Sequence, residues 1–139
     1  MIELPRALAD ALIRLARAGQ PDEVCGVVGL AGEHIVRLAP VRNAAATPHV
    51  RFTFDDDGYR QVMQLEREGL EIGIFHSHPA SPAFPSATDR AEMKETWPHC
   101  LQLMVSLQHD ATTGPEINAY RIDHLGRVTV EDLNVVGGA

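Results

Sequence analysis

The sequence predicts a single α/β domain, a mixed sheet flanked by helices. Three observations carry this. The chain has 139 residues, the length of one ordinary domain. It is 45% apolar and 22% charged, enough apolar mass for a core and too much for intrinsic disorder. Its hydrophobic period switches repeatedly between helix and strand spacing, in the order α-β-β-β-α-β-α-β-β-β, which argues for one sheet with helices packed on it.

The elements follow in order. Leu4, Leu8, Leu12 and Leu15 fall at helical spacing, so residues 3–18 read as an amphipathic helix stopped by Gly19. After Pro21, residues 24–30 are apolar throughout and of strand length. Gly32-Glu33 is a turn signal, and residues 34–38 read as the returning strand of a hairpin. Residues 40–48 read as a loop and 51–54 as a short strand. Asp55, Asp56 and Asp57 stand where a helix N-terminus favours acid, and that helix runs to Gly69. Residues 70–75 form an apolar run of strand length. Residues 77–85 hold three prolines and read as a loop. Residues 87–95 read as a helix ended by Trp97-Pro98. Residues 101–107, 116–122 and 127–130 complete the strands, with turns at Gly114-Pro115 and His124-Leu125-Gly126.

Charge and composition exclude several function classes. The net charge is -7, and the 12 Lys and Arg residues are spread along the chain without a basic patch, so nucleic acid is not an expected partner. No apolar run approaches the ~18 residues of a membrane span. The N-terminus lacks the basic and apolar regions of a signal peptide. Cys25 and Cys100 form neither a disulfide framework nor a CxxC motif, and the expected setting is the reducing cytoplasm.

The chemistry concentrates around His76-Ser77-His78. Two histidines at i and i+2, at the end of a buried strand, point to the same side of the chain and can grip one ion. Imidazole nitrogen and carboxylate oxygen both suit Zn²⁺, and Asp89, at the start of the next helix, can return as a third ligand. Three protein ligands leave a fourth position open, the mark of a catalytic zinc site. Such a site needs a base, and Glu23, just before the first buried strand, is the candidate. Ser86 can donate its hydroxyl to an oxyanion. Each residue also has a plainer reading. The histidines could be satisfied core residues, Glu23 a solvated loop carboxylate, and Ser86-x-x-Asp89 a capping box. Cys25 reads as a small buried apolar residue and Trp97 as packing at a helix end. His49 is a weak candidate for a cleft.

Taken jointly, Glu23 and His76-x-His78-x7-Ser86-x2-Asp89 resemble the signature of the JAMM (MPN+) metalloproteases. Pro21-x-Glu23-x-Cys25-Gly26, Asn43-Ala44, Arg51-Phe52 and Asn134-Val135-Val136 are similar to stand-alone prokaryotic members. The resemblance implies a JAMM/MPN-like domain over residues 1–134, a curved mixed sheet layered as in the cytidine deaminases, followed by a flexible tail at 135–139. It implies one Zn²⁺ per chain on His76, His78 and Asp89, Glu23 as general acid/base and Ser86 as transition-state stabiliser. The implied activity is peptidase or isopeptidase cleavage after the C-terminal Gly-Gly of a ubiquitin-like or sulfur-carrier protein, either releasing a cysteine or deconjugating a lysine. Residues 40–50 and 79–85 are the expected cleft walls, and fold relatives often form homodimers. The alternative is a non-catalytic scaffold of the same fold that binds a ubiquitin-like protein. A zinc nucleoside deaminase is a third and weak reading, because the H-x-E with P-C-x-x-C pattern is missing, and the zincin pattern H-E-x-x-H is also absent.

Overall fold

The computed structural model describes residues 1–137. The chain runs β1 (Ile2–Pro5), α1 (Arg6–Gly19), β2 (Cys25–Ala31), β3 (His34–Val41), α2 (Asp56–Arg67), β4 (Glu71–His78), α3 (Ala87–Thr96), β5 (Leu101–Ser106), β6 (Glu116–Ile122), β7 (Val128–Glu131) and β8 (Leu133–Val136). The strands form one eight-stranded mixed sheet in the order β7-β6-β5-β4-β2-β3-β1-β8. This is the expected α/β architecture.

The sheet separates two cores. On one face, Ala9, Leu12 and Ala16 of α1 pack on Val28, Leu30, Phe75, Leu101, Leu103 and Val105. On the other, Val62 and Leu65 of α2 and Met93 of α3 pack with Cys25, Val27, Ile74 and Ile122. Both faces of the central strands are covered, which is why β2 and β5 read as continuous apolar runs. β2 and β3 pair antiparallel across Gly32, whose φ of +62° suits glycine. β4 and β5 are parallel, because α3 carries the chain back between them.

Several expected elements differ. The first turn of the predicted N-terminal helix is instead β1, where Ile2 and Leu4 are buried and Glu3 and Pro5 less so. Pro5 biases Leu4 away from helical angles, and the helix starts after it. The strand expected at 51–54 is extended loop outside the sheet. The loop expected from Ser77 starts after His78, since β4 continues through both histidines. Val135 and Val136, assigned to a flexible tail, belong to β8 and pair with Leu4 and Pro5. That boundary is therefore corrected to beyond residue 136, while Gly138 and Ala139 lie outside the described residues.

Candidate metal centre

β4 brings the two histidines to one point because its side chains alternate. His76 and His78 face the core under α2 and α3, and Ser77 faces the other way. The Ser77 hydroxyl accepts from Val24 N–H at 2.8 Å, and Ser77 N–H donates to the Val24 carbonyl at 2.9 Å. These bonds extend the β2–β4 pairing past Cys25↔His76. Continued by two residues, that register sets Glu23 across from His78, on the same face.

Asp89 arrives from the opposite side at the start of α3. Ser86 caps the helix, its Oγ accepting from Asp89 N–H at 3.0 Å while Asp89 Oδ2 accepts from Ser86 N–H at 2.9 Å. The capping box is thus real, and it also aims a carboxylate at the histidines. The two readings of Ser86-x-x-Asp89 coincide.

Three atoms converge there. His76 Nε2 and His78 Nε2 are 3.0 Å apart. Asp89 Oδ2 is 3.0 Å from His78 Nε2 and 3.3 Å from His76 Nε2. A tetrahedral ion with bonds of ~2.0–2.1 Å needs ligand atoms about 3.3 Å apart, so this triangle matches one face of such a site. Glu23 completes a buried group whose four ligand atoms lie within 4.8 Å of one another. Glu23, His76, His78 and Asp89 are 7%, 0%, 3% and 5% exposed. Glu23 Oε1 and His76 Nδ1 have no hydrogen-bond partner within the protein, and buried polar atoms are seldom left so. The donor set and its spacing are consistent with one zinc ion.

The electrostatics agree. Burial pushes the Asp89 carboxyl up, but the His76 charge and hydrogen bonds from His76, His78 and Ser86 N–H outweigh it and hold it well below the ordinary range. Burial pulls the His78 imidazole down, yet its bonds to Asp89 and the Pro82 carbonyl raise it on balance. The two shifts describe an ionised Asp89 carboxylate beside a His78 that holds its proton more tightly. Glu23 goes the other way: burial raises its carboxyl, with His76 and His78 opposing only in part.

The cluster opens on a cleft of 740 Å³. Its walls include Gln20, Pro21, Glu23, His49, Val50, His78, Ser81 and Ser86. Both loops expected as walls contribute, and His49 lies in the cleft. Cys25 is buried, its Sγ 3.8 Å from the Val41 carbonyl, and its thiol is pushed up to about 12 by burial and by Glu23. It behaves as an apolar residue. Trp97 caps the end of α3 and stacks on Tyr59 at 5.9 Å, as a packing residue.

Two supporting residues carry no sequence signal strong enough to single them out. Asn43 ties the cleft loop to the site: its Nδ2 donates to the Glu23 and Arg51 carbonyls at 2.9 Å each, and its Oδ1 accepts from Ala45 N–H and Thr53 N–H. Phe52 stacks on the His76 ring, centroids 4.6 Å apart and planes 27° off parallel. Asn43 and Phe52 lie inside the segments that resemble the prokaryotic subgroup, which is the available hint.

Comparison with known proteins identifies the family and the fold. The family model described as prokaryotic homologs of the JAB domain matches residues 5–123. A protein of Haloferax volcanii named desampylase is 37% identical over 107 residues, covering 70% of this chain and 74% of its own. The CysO-cysteine peptidase of Mycobacterium tuberculosis is 33% identical over 135 residues, covering 93% and 87%. A solution structure of a Desulfitobacterium hafniense protein superposes with a TM-score of 0.77 at 29% identity, covering 99% of this chain and 94% of that one.

Proposed function

The chain belongs to the prokaryotic JAB-domain family, and from that premise we propose that it is a zinc peptidase or isopeptidase. Its proposed reaction is hydrolysis of the bond after the C-terminal Gly-Gly of a ubiquitin-like or sulfur-carrier protein. The observation that carries the proposal is the buried Glu23–His76–His78–Asp89 cluster at the floor of an open cleft. The names of the relatives, a desampylase and a CysO-cysteine peptidase, support this substrate class. The intact metal-ligand set favours an enzyme over a binding scaffold.

His76, His78 and Asp89 would hold the ion, which would supply Lewis-acid chemistry and make water a nucleophile near neutral pH. Glu23 takes the proton of the attacking water and gives it to the departing amine. Its burial suits both steps, because a raised carboxyl pKa brings the group nearer working pH. Ser86 Oγ spends a lone pair on Asp89 N–H, and its hydroxyl proton is left to donate to the developing oxyanion. A Gly-Gly tail has no side chains and threads in extended form between residues 40–50 and 79–85, positioned by main-chain pairing. The whole reaction takes place in the cytoplasm, on a small protein partner.

The test is elemental analysis of the purified protein, then incubation with a Gly-Gly carrier extended by one cysteine, with mass followed with and without chelator. About one zinc per chain and chelator-sensitive loss of cysteine are expected. Zinc without cleavage of this carrier or of a lysine-linked conjugate overturns the enzymatic reading. A protein that takes up no zinc overturns the metal assignment.

A further inference from the structure

Three successive carbonyls of the loop after β4 are each met by side chains from the sheet. The Ser81 carbonyl accepts from Ser106 Oγ of β5 at 2.6 Å. The Pro82 carbonyl meets His78 Nδ1 of β4 at 2.7 Å. The Ala83 carbonyl accepts twice from β6, from Asn118 Nδ2 at 3.2 Å and from the Tyr120 hydroxyl. Strand register puts these donors on one face: His78 beside Ser106, Met104 beside Asn118, Gln102 beside Tyr120. Ala83 and Tyr120 are 2% and 4% exposed, so the anchor is dry. Pro79, Pro82 and Pro85 have no N–H, and the loop is fixed through its carbonyls and through Phe84 N–H.

A histidine that binds metal through Nε2 carries its proton on Nδ1, and the acceptor of that proton sets tautomer and ring orientation. For His78 the acceptor is the Pro82 carbonyl. That carbonyl also accepts from Phe84 N–H at 2.8 Å, and Phe84 N–H belongs to the same peptide unit as the Ala83 carbonyl that β6 holds. His76 differs, since its Nδ1 has no partner and its ring is held by stacking on Phe52.

We propose that Tyr120, with Asn118, is a positioning residue for His78: by pinning the Ala83 carbonyl it holds the Pro82 carbonyl on His78 Nδ1 and so fixes the imidazole that faces the metal. The inference rests on the reading of His78 as a metal ligand. It predicts that a β6 side chain remote in sequence governs metal retention through two loop residues. The same anchor keeps Ala80 and Ser81 in place as cleft wall.

The test uses the full chain as Tyr120→Phe, Asn118→Ala and the double variant, with Tyr59→Phe as control. Two quantities are measured: zinc affinity by competition with a chromophoric chelator, and solvent exchange of the His78 Nδ1 proton by NMR in the zinc-loaded protein. The His76 Nδ1 proton is the internal reference. Direct loss of such an outer partner weakens metal binding ~10–100-fold. One step removed, Tyr120→Phe is expected to weaken it about 3–10-fold, the double variant more, with His78 exchange accelerated and His76 exchange unchanged. If Tyr120→Phe does not fold, Asn118→Ala must show both changes in weaker form. Variants that match wild type in both quantities overturn the proposal, as does equal acceleration at His76 and His78, which marks general loosening. A wild type that binds no zinc overturns the metal-site reading, and this proposal with it. Wild-type binding with unaffected variants overturns this proposal alone.

Discussion

At the scale of single residues, the roles proposed for the four cluster members are separable. Glu23→Gln keeps the shape and removes the proton carrier, so it should retain zinc and lose about 10²–10⁴-fold in turnover; elemental analysis beside a cleavage assay reads both. Turnover near wild type would remove Glu23 from the mechanism. Asp89→Ala should lose zinc and activity together. Phe52→Ala should weaken zinc binding by freeing the His76 ring, with Phe52→Tyr restoring it, which a chelator titration of the three proteins decides. The site is legible where its chemistry is carried at fixed spacing: His76, His78, Ser86 and Asp89 lie within one short stretch, and Glu23 joins them as the carboxylate before the first buried strand, a choice the resemblance supports. Its support is not. Tyr120, Asn118 and Ser106 act by donating to main-chain carbonyls. A carbonyl is present at every residue, so nothing in the sequence marks which one is used.

At the scale of elements, local signals succeeded where they were unopposed. Residues 116–122 were read as a strand with the observed ends, and Asp55 caps α2 by accepting from Gly58 N–H at 3.0 Å. They failed where two periods overlapped. Leu4 fits the helical spacing of Leu8 and Leu12, but it also alternates with Ile2 as strand, and Pro5 decides for strand. Arg51–Phe54 has strand composition, yet its backbone bonds to Asn43 and Ala44 in place of a neighbouring strand. Close packing between elements also makes two strand glycines irreplaceable. A Cβ on Gly26 would lie 2.3 Å from the Phe75 ring and 2.4 Å from the Ala39 carbonyl, and one on Gly73 would lie 2.5 Å from Val28. Gly26→Ala should therefore destabilise by about 1–3 kcal/mol or more, read as a lowered midpoint in urea unfolding. An unchanged midpoint would show that β2 can shift without cost.

At the scale of the whole molecule, the cluster ties folding stability to pH and metal together. Asp89 is held below its ordinary 3.8, so its contribution is present above that value and is lost as pH falls. His78 is raised above its ordinary 6.5, so its contribution is present below that value and is lost as pH rises through the folded pKa. Glu23, raised above 4.5 by burial, also costs stability as pH rises past that value. The metal-free protein should thus be most stable in mild acid and weaken toward neutrality. Zinc competes with the His78 proton and should reverse the trend. The gain in Tm on adding zinc is expected to grow from pH 5 to pH 8, and thermal unfolding across that range with and without metal checks it. A gain independent of pH would mean that His78 does not give up a proton to the ion.

The pairing of β1 with β8, Ile2 opposite Leu133 through Pro5 opposite Val136, has a consequence for biosynthesis. At ~5–20 residues per second, the ribosome delivers the outer neighbour of β1 roughly 7–26 s after β1 itself. In the folded chain the other side of β1 meets β3 through a single registered pair, Glu3 with His34. The metal cluster draws only on segments made before α3 ends. The cluster residues are therefore all translated before β8, which forms the edge of the sheet and contributes nothing to the cluster.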